Sequence, residues 1–201
     1  LYYVDSNFDT NAEFEDFLPG GSASGNGGAF FQSDFVLGFP TDPTELAALA
    51  NTVVDYTGSA IIGKSLPNVV GIDDAVGPAE FSVDFGTNLV TGQFDLTNSQ
   101  ASQSNLGGAD GSLLLILEDG QVTPTGISGF VDVPEAELGD LSNTPNGLEA
   151  VRLDVEGVFY GPNAQELSGS LTGANAVVDV GNGEELVAPS DAIAGSFLTS
   201  Q

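Results

Sequence analysis

The chain has 201 residues, 41% of them hydrophobic, which is enough for one domain or one domain with a small appendage. Two Lys and Arg stand against 29 Asp and Glu, a formal charge of -27, which excludes the counterion-releasing contacts that nucleic acid requires and disfavours anionic membrane surfaces. Cys, His, Met and Trp are absent, removing disulfides, thiolate or His-activated nucleophiles and the usual zinc and haem ligands, so the expectation is a protein that is not an enzyme.

The chain opens on Leu1, not Met, and on that ground is expected to be a processed product or a piece cut from a longer chain, and an exported one. No apolar run is long enough for a membrane helix, so direct membrane insertion is not expected. Residues 1 to 35 read as an extended, acidic and aromatic N-terminal segment, with the glycine-rich hinge "PGGSASGNGG" at 19 to 28. Within it, "DSNFDTNAEFED" offers oxygen ligands at Asp5, Asn7, Asp9, Asn11, Glu13 and Asp16, the spacing of a calcium-binding EF-hand loop. Thr10 stands where that loop turns on Gly, Asp16 replaces its bidentate Glu, and no helices flank it, so an acidic edge strand is the competing reading. Calcium is the one cofactor the sequence raises. Aromatic residues from Tyr2 to Phe35 are too numerous for a solvated tail, and predict that residues 1–35 pack on a sheet edge or groove, of their own chain or a neighbour's.

From residue 36 to 201 the pattern is that of a single β domain. "TDPTELAALAN" predicts a two-turn helix over 43 to 51, with Asp42 as N-cap, Pro43 at the first position and Glu45 completing a capping box. Lys64 ends a strand; a salt bridge is its default, and an internal isopeptide bond the chemically more interesting alternative. Asp73 and Asp74 read as a solvated loop. Phe81, Val83 and Phe85 alternate with polar residues, as do Val90, Gly92, Phe94 and Leu96 after a Gly-Thr-Asn turn, which predicts a hairpin with one apolar face. "GGADGS" at 107 to 112 reads as a hairpin loop, although it also matches a fragment of a Gly-Asp calcium repeat. A second hairpin is expected over 112 to 133, turning at Asp119-Gly120. Val151, Leu153, Val155 and Phe159 mark a further strand, in which Arg152 should pair with a carboxylate across the sheet. "AVVDV" and "AIAGSFL" supply the closing strands.

Gly58, Gly92, Gly129, Gly169 and Gly195 each fall inside a strand after a small residue. Glycine weakens a strand, so its recurrence implies a sheet that bends sharply, as in a barrel; a sandwich is the alternative. In "GVFYGPNAQELSG", Gly161 and Pro162 stop one strand, "PNAQEL" makes one helical turn, and alternation resumes at Leu167. The reading is a corner, not a site.

That stretch, extended to "GVFYGPNAQELSGSL", resembles the strand-corner-strand signature of the transferrin-binding protein B β-barrel domain. "FVLGFPT" at 35 to 41, "YTGSA" at 56 to 60 and "FSVDFGTNLVTGQFDL" at 81 to 96 extend the resemblance, in family order, over roughly residues 35 to 199. It implies an all-β, eight-stranded antiparallel up-and-down barrel on the outer surface of a Gram-negative bacterium or outside the cell. Some such domains bind host iron proteins, haem or complement regulators through loops and handle domains, but no handle fits before residue 53, and without His only Tyr2, Tyr3, Tyr56 and Tyr160 could reach a haem iron. The function expected is protein–protein binding or adhesion without catalysis. Two alternatives stand beside it: an extracellular filament subunit joined through residues 1–35, and a carrier holding a small ligand inside the barrel.

Overall fold

The computed structural model describes residues 39–65, 73–99, 106–139, 148–181, 183–187 and 192–201. The expected boundary between extension and barrel at residue 35, the glycine-rich hinge and the acidic loop at 5 to 16 lie outside them. Ten strands follow one short helix: α1 (Pro43–Ala48), β1 (Val53–Ser65), β2 (Asp73–Asp84), β3 (Leu89–Asn98), β4 (Ser112–Ile116), β5 (Glu118–Val122), β6 (Gly126–Pro134), β7 (Leu148–Tyr160), β8 (Glu166–Asp179), β9 (Glu184–Val187) and β10 (Ala192–Ser200).

All pairings are antiparallel, and consecutive strands pair in the up-and-down order the alternation implied, except that β4 does not pair with β5 nor β9 with β10. β4 and β5 are two lengths of one wall strand interrupted at Leu117, whose N–H still donates to Gly92 across the break. β8 is shared: Glu166–Leu171 pair with β10, while Ala176–Asp179 pair with β9. β10 then reaches β1 over nine registered pairs, Thr57 opposite Ser200 through Ser65 opposite Ala192. That contact turns an open sheet into a closed eight-stranded barrel.

The alternation sorts side chains as a barrel requires. Ala60, Ile62, Ala79, Phe81, Val83, Phe94, Leu96, Leu113, Leu115, Val131, Leu153, Val155, Leu167, Leu171 and Phe197 point inward and are buried. At one mouth α1 presses Leu46 and Leu49 onto this core. Asp42 caps the helix through Thr44, accepting from its N–H at 2.8 Å and its hydroxyl at 2.6 Å, and these bonds hold the carboxyl below its ordinary value. The helix ends at Ala48, short of the expected residue 51, because Leu49 begins the cap and Asn51 turns into the left-handed region at φ 70°.

Three expectations need correction. Asp119-Gly120 is not a hairpin turn: both residues lie within β5, and the register shifts between Glu118 and Gln121. Asp119 takes φ 48° there, so the residue pair that favours a turn builds a bulge instead. The chain reverses later, between β5 and β6, where Thr123 N–H donates to the Gly126 carbonyl. Asp73 and Asp74 open β2 and are not loop residues. "AVVDV" is the far half of β8 and not a strand of its own.

Candidate interaction surface

The barrel interior holds rings, not space. Phe81, Phe94 and Phe197 meet at its middle, with centroids 5.0 to 5.8 Å apart and two of the three contacts edge-to-face. Tyr56, Phe85 and Phe159 form a second group near the mouth closed by α1, at 5.4 and 5.9 Å. Aromatic contacts of this kind contribute about 0.5–1.5 kcal/mol each beyond the area they bury.

The recurrent strand glycines explain how so many rings fit. Gly58, Gly92, Gly129, Gly169 and Gly195 all have ordinary negative-φ backbones, so they are required by crowding and not by backbone sign. A Cβ on Gly92 would lie 2.5 Å from the Phe81 ring, and one on Gly169 would lie 2.6 Å from the Phe197 ring and on the carbonyl oxygen of Glu156. At Gly92 and Gly169 the wall comes closest to the rings inside it, whereas Gly58 lies against the β10 backbone at Leu198 and Thr199.

The corner after β7 closes the same mouth as α1. Gly161 (φ 74°), Asn163 (φ 55°) and Ala164 (φ 55°) all sit in the left-handed region, and the turn folds Ala164 fully inside. Its carbonyl accepts the Tyr56 hydroxyl at 2.7 Å and the Gln201 amide at 2.8 Å. Burial pushes the Tyr56 phenol up to about 12, with the Gln201 bond opposing the shift. The corner is therefore structural, as its sequence indicated.

On the outside, six strands from β6 round to β2 shape a groove of roughly 890 Å³. Its long axis follows one rung of the barrel: Ser128 opposite Glu156, then Ser170, Ser196, Ile61 and Val76. The neighbouring rung adds Val158, Ser168, Leu198 and Ser59, and Tyr160 stands at the end. The depression arises because serines on the outer face sit beside glycines on the inner face, as in Ser168-Gly169-Ser170 and Gly195-Ser196. Among its lining residues only Glu156 is charged, on a protein with 29 acidic side chains. Sequence reading noted the small residue before each glycine but missed this groove, since its members lie up to some 140 positions apart and meet only through strand register.

Arg152 pairs across the β6–β7 ladder with Asp132 through two bonds of 2.8 and 2.7 Å, reaches Glu184 at 3.3 Å and stacks 3.9 Å over the Phe130 ring. The Asp132 bonds are the main reason its guanidinium is held still more firmly protonated than usual. Lys64 lies in β1, in register with Asp73 and Ile193. Gly107, Gly108 and Gly111 make the positive-φ turn before β4, and Asp110 accepts from the Ser112 N–H, a loop arrangement. Asp5, Asn7, Asp9, Asn11, Glu13 and Asp16 lie outside the described residues, and among the described residues no three or more acidic groups assemble a metal site.

Comparison with known proteins agrees with this geometry. A family model described as the C-lobe and N-lobe β-barrels of transferrin-binding protein B matches residues 50–197, well over half of the chain. Transferrin-binding protein B of Neisseria meningitidis serogroup B is 29% identical over 143 residues, covering 69% of this chain and 18% of that protein. The crystal structure of the isotype 1 protein from the same organism aligns over 80% of this chain and 28% of its own, at 22% identity and a TM-score of 0.45. A variant of the Haemophilus parasuis protein, described as a vaccine antigen, aligns over 81% and 29%, at 20% identity and a TM-score of 0.46. The chain thus spans less than a third of the length of each. With its closed barrel, its corner and the family match all covering the same residues, the chain belongs to the family of transferrin-binding protein B β-barrel domains.

Proposed function

We propose that this barrel is a non-enzymatic protein-binding module displayed on the bacterial outer surface or outside the cell, with adhesion as one form that binding takes. The observation that carries the reading is the filled interior: where Phe81, Phe94 and Phe197 occupy the middle of the barrel, a partner must be met on the outer wall or the rim. The same observation counts against the small-ligand carrier. A surface of charge -27 suits a partner presenting basic groups, with association rates that fall as salt rises.

Transferrin, after which the relatives are named, is the first partner to test. Titration calorimetry of the purified chain against transferrin should give saturable binding that weakens with added salt. No heat at micromolar concentrations would separate this barrel from the ligand of its relatives. A small molecule retained at one-to-one stoichiometry in native mass spectra would overturn the protein-binding reading in favour of a carrier. Self-association through residues 1–35 is the secondary reading, motivated by their aromatic content, and sedimentation across a concentration series tests it.

A further inference from the structure

The described chain enters the barrel beside the outer groove. Gly161 N–H donates to the Phe39 carbonyl at 3.1 Å, Pro40 forms a β-bridge with Tyr160, and Thr41 N–H donates to the Phe159 carbonyl at 2.9 Å. Tyr160 is the residue at the groove's end. Whatever precedes Phe39 must therefore leave from the groove's end.

What precedes it has matching chemistry. Residues 17 to 33 carry no charged side chain and end in Ala29-Phe30-Phe31-Gln32-Ser33, with Asp34 the first charge after them. The groove carries one charge, Glu156, with Ser170 and Ser196 leaving room on its floor and Ile61, Val76 and Leu198 offering apolar contact. Charge depletion with small residues around apolar ones is the composition of an interface core. Reach is sufficient: eight residues from Phe39 back to Phe31 extend up to about 28 Å, whereas four strand spacings from β7 to β2, combined with the four-residue offset from Tyr160 to the Glu156 rung, make a diagonal of about 23 Å. Gly38, just before the bridge, can accommodate the reversal this path needs.

We propose that residues 29–35 dock, with Phe30 and Phe31 as anchors, in the serine-lined outer groove of their own chain. The tether favours the chain's own segment over a neighbour's, because a short linker holds it at an effective concentration of about millimolar. This goes beyond the protein-binding reading and does not depend on it.

Hydrogen exchange on the full chain tests the proposal. Amides of residues 29–35 should be protected, independently of protein concentration. Filling the groove with Ser170→Gln and Ser196→Gln together should reduce that protection by about tenfold or more while barrel amides keep theirs. As the chain has no cysteine, a nitroxide on Ser196→Cys should also broaden the resonances of Phe30 and Phe31, and one on Thr91→Cys, on the wall away from the groove, should not. Unprotected 29–35 amides, protection unaffected by the double variant, or equal broadening from both labels would overturn the proposal. Protection that grows with concentration would overturn it too, by assigning the groove to the segment of a second copy.

Discussion

Tyr56 shows how one polar atom is kept inside this barrel. Its hydroxyl donates to a carbonyl that the left-handed turn at Ala164 aims inward, so burial carries no orphaned donor. Tyr56→Phe should cost about 0.5–1.5 kcal/mol at neutral pH, towards the low end because the Gln201 amide still satisfies the Ala164 oxygen. The pH dependence has a definite sign. The phenol's folded value of about 12 lies above its ordinary 10.0, so the folded state keeps a proton that the unfolded chain releases. Stability is full below pH ~10 and falls as pH rises from ~10 to ~12. Urea unfolding across that range should show the decline in the parent and a shallower one in Tyr56→Phe; identical slopes would mean that the phenol is solvated. Asp42 and Asp84 act in the opposite direction: hydrogen bonds, from Thr44 for the first and from Thr87 and Gly86 for the second, hold both carboxyls low. Their contribution is present above the ordinary carboxylate value and is lost as pH falls below it, through their lowered folded values.

At the level of strands, inward glycines are the specific vulnerability. Gly169→Ala places a methyl on the Glu156 carbonyl and against the Phe197 ring, and neither backbone nor a close-packed ring can give way freely. The expected cost is about 1–3 kcal/mol, read as a lowered urea midpoint at unchanged slope. Gly92→Ala, which meets the edge of the Phe81 ring, should fall at the milder end. Unchanged midpoints in both would remove close approach as the reason for the glycines. These glycines, the hairpin at Phe81–Leu96 and the corner at Gly161-Pro162 were legible in the sequence because each depends on local alternation or on a residue with one backbone habit. Asp119-Gly120 was misread for a related reason: Asp-Gly favours positive φ wherever it lies, and only the neighbouring strand decides between a turn and a bulge. The interruption at Leu117 and the sharing of β8 between β9 and β10 leave no local trace, since both follow from how a coiled wall meets itself. The groove was illegible for the same reason, although its ingredients, outward serines beside inward glycines, were on view.

For the whole molecule, charge sets the solution behaviour. Arg152 already pairs with Asp132 and Glu184, and with only two Lys and Arg in the chain most of the 29 Asp and Glu have no cationic side chain to pair with. Raising ionic strength from ~0.01 M to ~0.1 M shortens the screening length from about 30 Å to about 10 Å, and Tm should rise with it. A flat Tm up to ~1 M salt would show the charges to be too dispersed to matter. If ~1 mM calcium alone reproduced the gain, a cation site would be indicated, and Asp5, Asn7, Asp9, Asn11, Glu13 and Asp16 are the residues to substitute first. The seam between β1 and β10 has a consequence of another kind, in time. Synthesis runs from the N-terminus, so Thr57–Ser65 must wait with one edge bare until Ala192–Ser200 have been made, and Glu166–Leu171 wait for the same strand. Closing so long a loop is a late and entropically costly event, and contacts this distant in sequence make for slow folding. A chain still emerging from a ribosome or a translocation pore therefore cannot complete the wall. Until its last strand is released the barrel stays open, and its bare strand edges are at risk of mispairing over that interval.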